Sequence, residues 1–125
     1  EKYKNSSLDD KRRTEIVGKI EAVLADKELL CSEDMSLKRL ADLTATPYKL
    51  VSQSINEHWQ KNFSQLLAEY RIHEACCRMQ DRDRYGSYSI EGIGASVGFH
   101  TRSNFVTTFK RITGLTPSEY ISEIK

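Results

Sequence analysis

Apolar residues recur at helical spacing along most of this chain. Ile16, Val17, Ile20, Val23 and Leu24 fall on one face of a helix. No stretch alternates apolar and polar residues convincingly over the length of a strand. The pattern therefore predicts an all-α fold.

Helix start and stop signals divide the chain into predicted elements. A capping-box-like start at 7–10 opens a first helix, which we expect to end near Leu29 or Leu30 before a polar connection over 31–35. The charged, glycine-containing stretch 81–88 is predicted to be a loop. The remaining predicted helices are one capped by Ser36, one capped by Thr46 with Pro47 at its first position, one over 63–80, one capped by Ser89, one from Thr101 to Thr113-Gly114, and one opened by Thr116-Pro117-Ser118-Glu119 and running towards Ile124.

Two parts of the chain share one spacing of small and apolar residues. The small pairs Ala41/Ala45 and Gly94/Gly98, and the apolar pairs Val51/Ile55 and Phe105/Phe109, are each four residues apart. Further members follow Ile55 and Phe109 at eight, eleven and twelve residues in both copies, and the second copy has one extra residue before its apolar pair. The repetition predicts one supersecondary unit used twice, a helix, a tight turn and a second helix.

The second helix of each unit carries a polar, neutral to basic face. These side chains are of the kinds that read base edges in a major groove, and tandem helix-turn-helix units favour double-stranded DNA as the partner. The faces comprise Tyr48, Lys49, Ser52, Gln53 and Asn56 in the first unit, and Arg102, Ser103, Asn104, Thr107, Lys110 and Arg111 in the second.

Charge distribution agrees with this interpretation better than total charge does. The 125 residues carry a net charge of only +1, but residues 1–35 are at −2 and residues 36–125 at +3. No acidic residue occurs from 43 to 56 or from 92 to 118, as a phosphate-facing surface requires. We predict phosphate contacts for Tyr48, His100, Asn104, Lys110 and Arg111; local packing for Tyr48 and a solvated position for His100, Lys110 and Arg111 are the alternatives.

Several other classes of protein are disfavoured. No apolar run approaches the ~18 residues of a membrane span, and the N-terminal residues lack the charged-then-apolar pattern that predicts a secretion signal. Three cysteines, two of them adjacent, favour a reducing cytoplasm over a disulfide framework. The chain lacks a catalytic constellation, so we predict no enzyme, cofactor or metal site. Because it opens on Glu1, we expect it to be part of a longer protein.

The second unit resembles the C-terminal signature of AraC/XylS-type transcription regulators. The matching residues are Ile90, Ile93-Gly94, Val97-Gly98-Phe99, Ser103-Asn104-Phe105, Phe109-Lys110 and Gly114-Leu115-Thr116-Pro117-Ser118-Glu119-Tyr120. The resemblance covers roughly residues 36–125. Ile55-Asn56-Glu57-His58, Lys61-Asn62-Phe63 and Lys2-Tyr3-Lys4 to Ser7-Leu8 resemble a branch with this module C-terminal to a sensor region.

The resemblance implies two homeodomain-like lobes of three helices, joined by one long helix. It implies a linker and leading helix over 1–35 and a DNA-binding domain over 36–125, with lobes at 36–62 and 88–125 and the joining helix at 63–81. Both recognition helices would enter successive major grooves. The implied base-reading residues are Lys49, Ser52 and Gln53 in the first lobe and Arg102, Ser103, Val106 and Thr107 in the second.

The sequence departs from the family pattern at a few positions. Gly94 stands where alanine is usual and is expected to loosen its helix by up to ~1 kcal/mol. Val106 is apolar at a reading position, and Cys76 and Cys77 replace residues that are often basic.

Partners outside this chain are expected as well. They are RNA polymerase and a covalently attached sensor or dimerisation region, with no membrane contact by this segment. The alternative function is a helical protein–protein adaptor that has lost DNA reading.

Overall fold

The computed structural model describes residues 8–124, and this part of the chain is built from helices. Its described residues contain no strand, which confirms the predicted all-α fold. Ser7 and the 2–4 segment, on which two expectations rest, lie outside the described residues. The helices are α1 (Asp10–Ala25), α2 (Lys27–Leu30), α3 (Leu37–Leu43), α4 (Tyr48–Trp59), α5 (Phe63–Gln80), α6 (Arg82–Tyr85), α7 (Ile90–Ser96), α8 (Arg102–Thr113) and α9 (Pro117–Ile124).

Three predicted N-caps are confirmed. Ser36, Ser89 and Thr101 precede α3, α7 and α8, and each side-chain oxygen accepts a hydrogen bond from the backbone N–H three residues later, at 2.9–3.0 Å. Each bond satisfies one of the donors that a helix start leaves without an intrahelical partner.

The predicted start of α4 is wrong by one residue. Pro47, not Thr46, is the N-cap, and α4 begins at Tyr48. The Thr46 hydroxyl instead donates to the carbonyl of Thr44 at 2.9 Å, so it closes the preceding turn. The Pro47 carbonyl accepts the first hydrogen bond of α4, from Val51 N–H at 3.1 Å.

Aspartates start two short helices that the apolar pattern did not predict. The first helix ends at Ala25 rather than near residue 30, because Asp26 adopts an extended conformation and its carboxylate accepts from the N–H groups of Glu28 and Leu29, opening α2. Asp81 accepts from Arg84 N–H at 3.3 Å and opens α6 within the stretch predicted to be a loop. Aspartate at an N-cap makes such single turns favourable.

The predicted repeat reappears at its first turn as matching backbone hydrogen bonds. Thr46 N–H donates to Ala41 O and Phe99 N–H to Gly94 O, both at 3.0 Å. The residue between has positive φ in both copies, 51° for Ala45 and 105° for Gly98. This pattern is the Schellman motif, which ends the first helix of each unit in the same way.

The match continues beyond the second helices. Both α4 and α8 have twelve residues, and both end at a left-handed residue, Gln60 or Gly114. Reciprocal capping boxes then open α5 and α9, Asn62 with Gln65 and Thr116 with Glu119, at 2.8–3.1 Å. The extra residue of the second copy lies between Gly98 and α8.

The first compact unit consists of residues up to Leu30 together with Asp34–Leu67. In it α1 packs against both α3 and α4. The predicted inward face of α4 is confirmed, since Val51 and Ile55 are fully buried, and Ile20 of α1 is fully buried as well.

The second compact unit consists of Cys31–Glu33 and Ala68–Lys125. Its core combines aliphatic side chains of α5 and α7 with a chain of aromatic rings. The ring centroids are 5.3 Å apart for Phe99 and Phe105, 5.7 Å for Phe105 and Phe109, and 5.6 Å for Phe109 and Tyr120. These spacings suit tilted and edge-on aromatic contacts. The predicted inward face of α8 is confirmed, because Phe105 and Phe109 are fully buried.

Gly94 allows α7 and α8 to approach closely. A Cβ atom at this position would lie 2.6 Å from Phe105 Cγ and 2.7 Å from its Cδ2. The glycine that departs from the family pattern therefore makes room for the central ring of this core, and does more than weaken α7.

No helix among the described residues has both the length and the apolar character needed to cross a bilayer.

Replacing Gly94 by alanine is expected to destabilise the protein. Overpacking against Phe105 costs about 1–3 kcal/mol, whereas the gain in helix propensity is at most ~1 kcal/mol. Gly18→Ala is the matched control, because nothing lies within 4 Å of a Cβ there, and it should raise the free energy of unfolding by about 0.5–1 kcal/mol. Urea unfolding measures both. Equal stabilisation by the two variants would contradict the close approach.

Ser54→Ala is expected to stabilise the protein. Ser54 is fully buried on α4, and its hydroxyl oxygen has no hydrogen-bond partner among the described residues. A buried unsatisfied polar group costs about 1–3 kcal/mol, so its removal should raise the free energy of unfolding by about 1 kcal/mol. Ser122→Ala on the exposed side of α9 measures the helix-propensity gain alone. A loss of stability in Ser54→Ala would contradict the prediction.

Candidate nucleic-acid interface

The second helix of each helix-turn-helix presents a polar face, and the two faces are described separately because they belong to different units. The first reading face comprises Tyr48, Lys49, Ser52 and Gln53 on α4. The second reading face comprises Arg102, Ser103, Asn104, Val106, Thr107, Lys110 and Arg111 on α8. All of these residues are at least partly exposed.

The first reading face lies at the N-terminal half of α4. Tyr48 is 55% exposed, Lys49 is exposed, and Ser52 and Gln53 are half-buried. Base contacts by a recognition helix usually come from its N-terminal turns, so the location suits that role.

Glu57 lies one helical turn after Gln53, just outside the stretch 43–56 that contains no acidic residue. Gln53 Nε2 donates to Glu57 Oε2 at 3.0 Å, and Arg13 of α1 donates from Nη1 to Glu57 Oε1 at 2.8 Å. Arg13 also pairs with Asp10. Its hydrogen bonds to Asp10, which has the larger effect, and to Glu57 raise the pKa of Arg13. The i, i+4 spacing of Gln53 and Glu57 is visible in the sequence, but the part played by Arg13 is not.

The second reading face is more open. Arg102, Ser103 and Thr107 are exposed, and Val106 is half-buried. Asn104 is exposed, but its side-chain oxygen accepts from the hydroxyl of buried Thr108 at 3.3 Å, so it also serves the packing of α8.

The basic end of α8 extends this face. Lys110 and Arg111 are exposed in its last turn. The backbone N–H and the hydroxyl of Thr116, and next the charge of Lys110, lower the pKa of Glu119, which opens α9. Lys110 therefore has an acidic neighbour from another element.

A buried arginine fixes the turn that leads into α8. Arg71 of α5 donates from Nη2 to Ser32 O at 2.6 Å and from Nη1 to Gly98 O at 3.4 Å. Burial lowers the pKa of this guanidinium. The φ of 105° at Gly98 favours glycine, and a Cβ there would also lie 2.8 Å from Arg71 Cζ, so the guanidinium would have to shift.

A second arginine of α5 supports the end of α7. Arg78 donates from Nε to Glu74 at 2.8 Å and from Nη1 to Ser96 O at 3.0 Å. A cation at a helix C-terminus interacts favourably with the helix dipole. No pattern in the sequence indicated that Arg71 and Arg78 hold the second helix-turn-helix together.

His100 has an acidic neighbour contributed by the 31–33 segment. Its Nδ1 lies 3.8 Å from Glu33 Oε1, and both side chains are largely exposed. A negative charge here opposes the phosphate contact predicted for His100. The absence of acidic residues over 92–118 did not indicate this contact, because Glu33 is distant from His100 in the sequence.

Over residues 8–124, no group of three or more His, Cys, Asp or Glu side chains is arranged to hold a metal ion.

Comparison with known proteins identifies the family. A family described as "Helix-turn-helix domain" matches residues 40–123, from within α3 to within α9, and this range includes both α4 and α8. The chain belongs to the AraC/XylS family of DNA-binding domains. The predicted family, and a DNA-binding domain of the kind found in transcription regulators, are thereby confirmed.

A curated relative is the HTH-type transcriptional regulator GadX of Escherichia coli strain K12. It is 30% identical over 89 residues, which cover 71% of this chain and 31% of GadX. The chain thus spans about a third of the length of the curated relatives that it matches.

Solved structures share the fold. One is a transcriptional regulator from Chromobacterium violaceum, titled among AraC-type DNA-binding domain-containing proteins, with a TM-score of 0.74, 18% identity and coverage of 93% of this chain and 96% of that one. Another is a DNA-binding transcriptional dual regulator from Escherichia coli K-12, with a TM-score of 0.67, 26% identity and coverage of 89% and 95%.

Glu33→Gln is expected to raise affinity for DNA. The change removes a negative charge beside His100, and exposed pairs of this kind contribute up to about 1 kcal/mol, so we expect a two- to fivefold tighter complex at low salt. The gain should shrink at higher salt because exposed charges are screened. Fluorescence anisotropy with a labelled duplex measures it.

Glu21→Gln, an exposed site on α1, controls for the change in net charge. Equal gains in the two variants would contradict a local role for Glu33.

Proposed function

We propose that this chain is the sequence-specific DNA-binding part of a transcription regulator, and that it reads DNA with both recognition helices, α4 and α8. The observation that carries the proposal is the pair of exposed polar faces. Each lies on the second helix of a helix-turn-helix, and no acidic residue occurs over 43–56 or 92–118. Membership of the AraC/XylS family supports the same function.

In the first major groove, Lys49, Ser52 and Gln53 read base edges. Lysine pairs with guanine O6 and N7, glutamine with adenine N6 and N7, and serine with several edges. Tyr48, which is 55% exposed, holds a phosphate beside them through its hydroxyl group.

In the second groove, Arg102, Ser103 and Thr107 read bases, and Val106 meets a thymine methyl group. Arg102 is the first residue of α8, where a bidentate contact to guanine is geometrically favourable. The phosphate contacts assigned to this face are those of His100, Asn104, Lys110 and Arg111.

The two grooves are successive ones on one face of the duplex. A helix of eighteen residues, the length of α5, is about 27 Å long, which is comparable to the ~34 Å of one turn of B-DNA. A single chain would then read an asymmetric site of about 15–20 base pairs.

The complete regulator includes parts that lie outside this chain. We propose a covalently attached sensor or dimerisation region, contact with RNA polymerase, a cytoplasmic location and no catalytic activity. The span of about a third of GadX supports the existence of such further parts.

Selection of binding sites from a random DNA pool tests the proposal. We expect one enriched, asymmetric motif. Binding to it should weaken steeply between about 50 and 200 mM salt, with a log–log slope of several units, because phosphate contacts release counterions. A flat slope with no enriched motif would contradict DNA reading and favour the protein–protein adaptor.

Arg102→Ala is expected to weaken binding to the selected motif by about 1–3 kcal/mol and to relax the preference at one base pair. Binding to random DNA should change much less, because the lost contact reads a base. Anisotropy titrations on both duplexes measure the two effects. Equal losses on both would reduce Arg102 to a phosphate contact.

A further inference from the structure

We propose that Glu57 and Arg13 are positioning residues that fix the amide of Gln53 in one orientation and so set the base preference of α4. The inference rests on the proposed function, since it requires Gln53 to read a base. It extends the reading apparatus to α1, which lies outside the matched residues 40–123.

The orientation of the Gln53 amide decides how it can bind a base. A glutamine side chain can present its donor and acceptor to a base in either of two orders, related by rotation of the amide through a half-turn. Adenine offers N7 as acceptor and N6 as donor, so only one order matches it. A glutamine that is held in one order therefore discriminates better than one that rotates.

Glu57 restricts the orientation of this amide. An ionised carboxylate is an acceptor only, so the atom of Gln53 that faces it at 3.0 Å must be the nitrogen. Rotation of the amide would place the Gln53 oxygen against the carboxylate, where two acceptors repel each other. Glu57 thus selects one donor–acceptor order for Gln53.

Arg13 in turn holds the Glu57 carboxylate. Glu57 has two carboxylate oxygens, and Arg13 binds Oε1 at 2.8 Å while Gln53 binds Oε2. The Arg13 and Glu57 side chains are only 27% and 20% exposed. Arg13 therefore holds the carboxylate in the orientation that Gln53 needs and offsets a negative charge that DNA phosphates would otherwise repel.

Site selection with variants of the full chain tests the orientation. Gln53→Ala identifies the base positions that depend on Gln53. Glu57→Gln keeps the shape of Glu57 but can present either a donor or an acceptor, so it no longer imposes an order. We expect it to relax the preference at the same positions, by about fivefold or more, and to leave the other positions unchanged. Glu21→Gln controls for net charge.

A double-mutant cycle tests the role of Arg13. Arg13→Met should weaken binding to every duplex by about two- to fivefold at low salt, because it leaves Glu57 uncompensated. The same change in a Glu57→Gln background should cost much less, because Asp10 is then the one described carboxylate partner of Arg13 that loses its cation. Equal losses in both backgrounds would overturn the positioning role and make Arg13 a direct phosphate contact.

The remaining outcomes separate this inference from the proposed function. An enriched motif whose base preferences are the same in the wild type and Glu57→Gln overturns the inference alone, as does a motif that Gln53→Ala leaves unchanged. A uniform loss of affinity in Glu57→Gln, with a lower melting temperature and unchanged preferences, also overturns it, because that result describes a purely structural residue. A wild-type chain that enriches no motif overturns the proposed function itself.

Discussion

The direction of each recognition helix depends on one short turn. In both units a residue with positive φ ends the first helix, and the following N–H returns to a carbonyl five residues back, Thr46 to Ala41 and Phe99 to Gly94. These bonds satisfy backbone groups that would otherwise be left over at a helix end. Because α4 and α8 begin within a few residues of this turn, the geometry of the turn sets the direction of each recognition helix within its unit.

The two copies satisfy the same constraint with different side chains. Gly98 accepts positive φ without a steric penalty, and the space above it is filled by Arg71. Ala45 is exposed and adopts φ 51°, a conformation that costs an alanine about 1–2 kcal/mol. In the second unit Gly94 then admits Phe105 to the helix crossing, whereas Ala41 occupies the equivalent place in the first.

Two glutamates lie beside the proposed DNA-contacting residues, although the sequence around those residues contains no acidic side chain. Glu57 and Glu33 come from outside the two acid-free windows, yet one binds Gln53 and the other lies 3.8 Å from His100. The first is compensated by Arg13 at 2.8 Å. Both are adjacent to side chains for which we propose contacts with DNA, so they would modulate those contacts.

The amino-acid sequence by itself determined the longer helices, the repeat and the family. Those features are local, since caps, capping boxes and Schellman turns form between residues three to five apart, and amphipathic spacing reveals which helix faces are buried. The errors, at Thr46 and at residues 26 and 81, arose where a hydrogen bond from one side chain to a nearby backbone group set the end of a turn or the start of a helix.

Only the tertiary structure decided how the reading residues are supported. Arg13 reaches Glu57 across 44 residues of sequence and Arg71 reaches Ser32 across 39. Such pairs follow from the packing of distant segments, and a periodic pattern carries no information about them. The fit of Gly94 against Phe105 is of the same kind, because a close approach of two helices depends on the shapes of both surfaces.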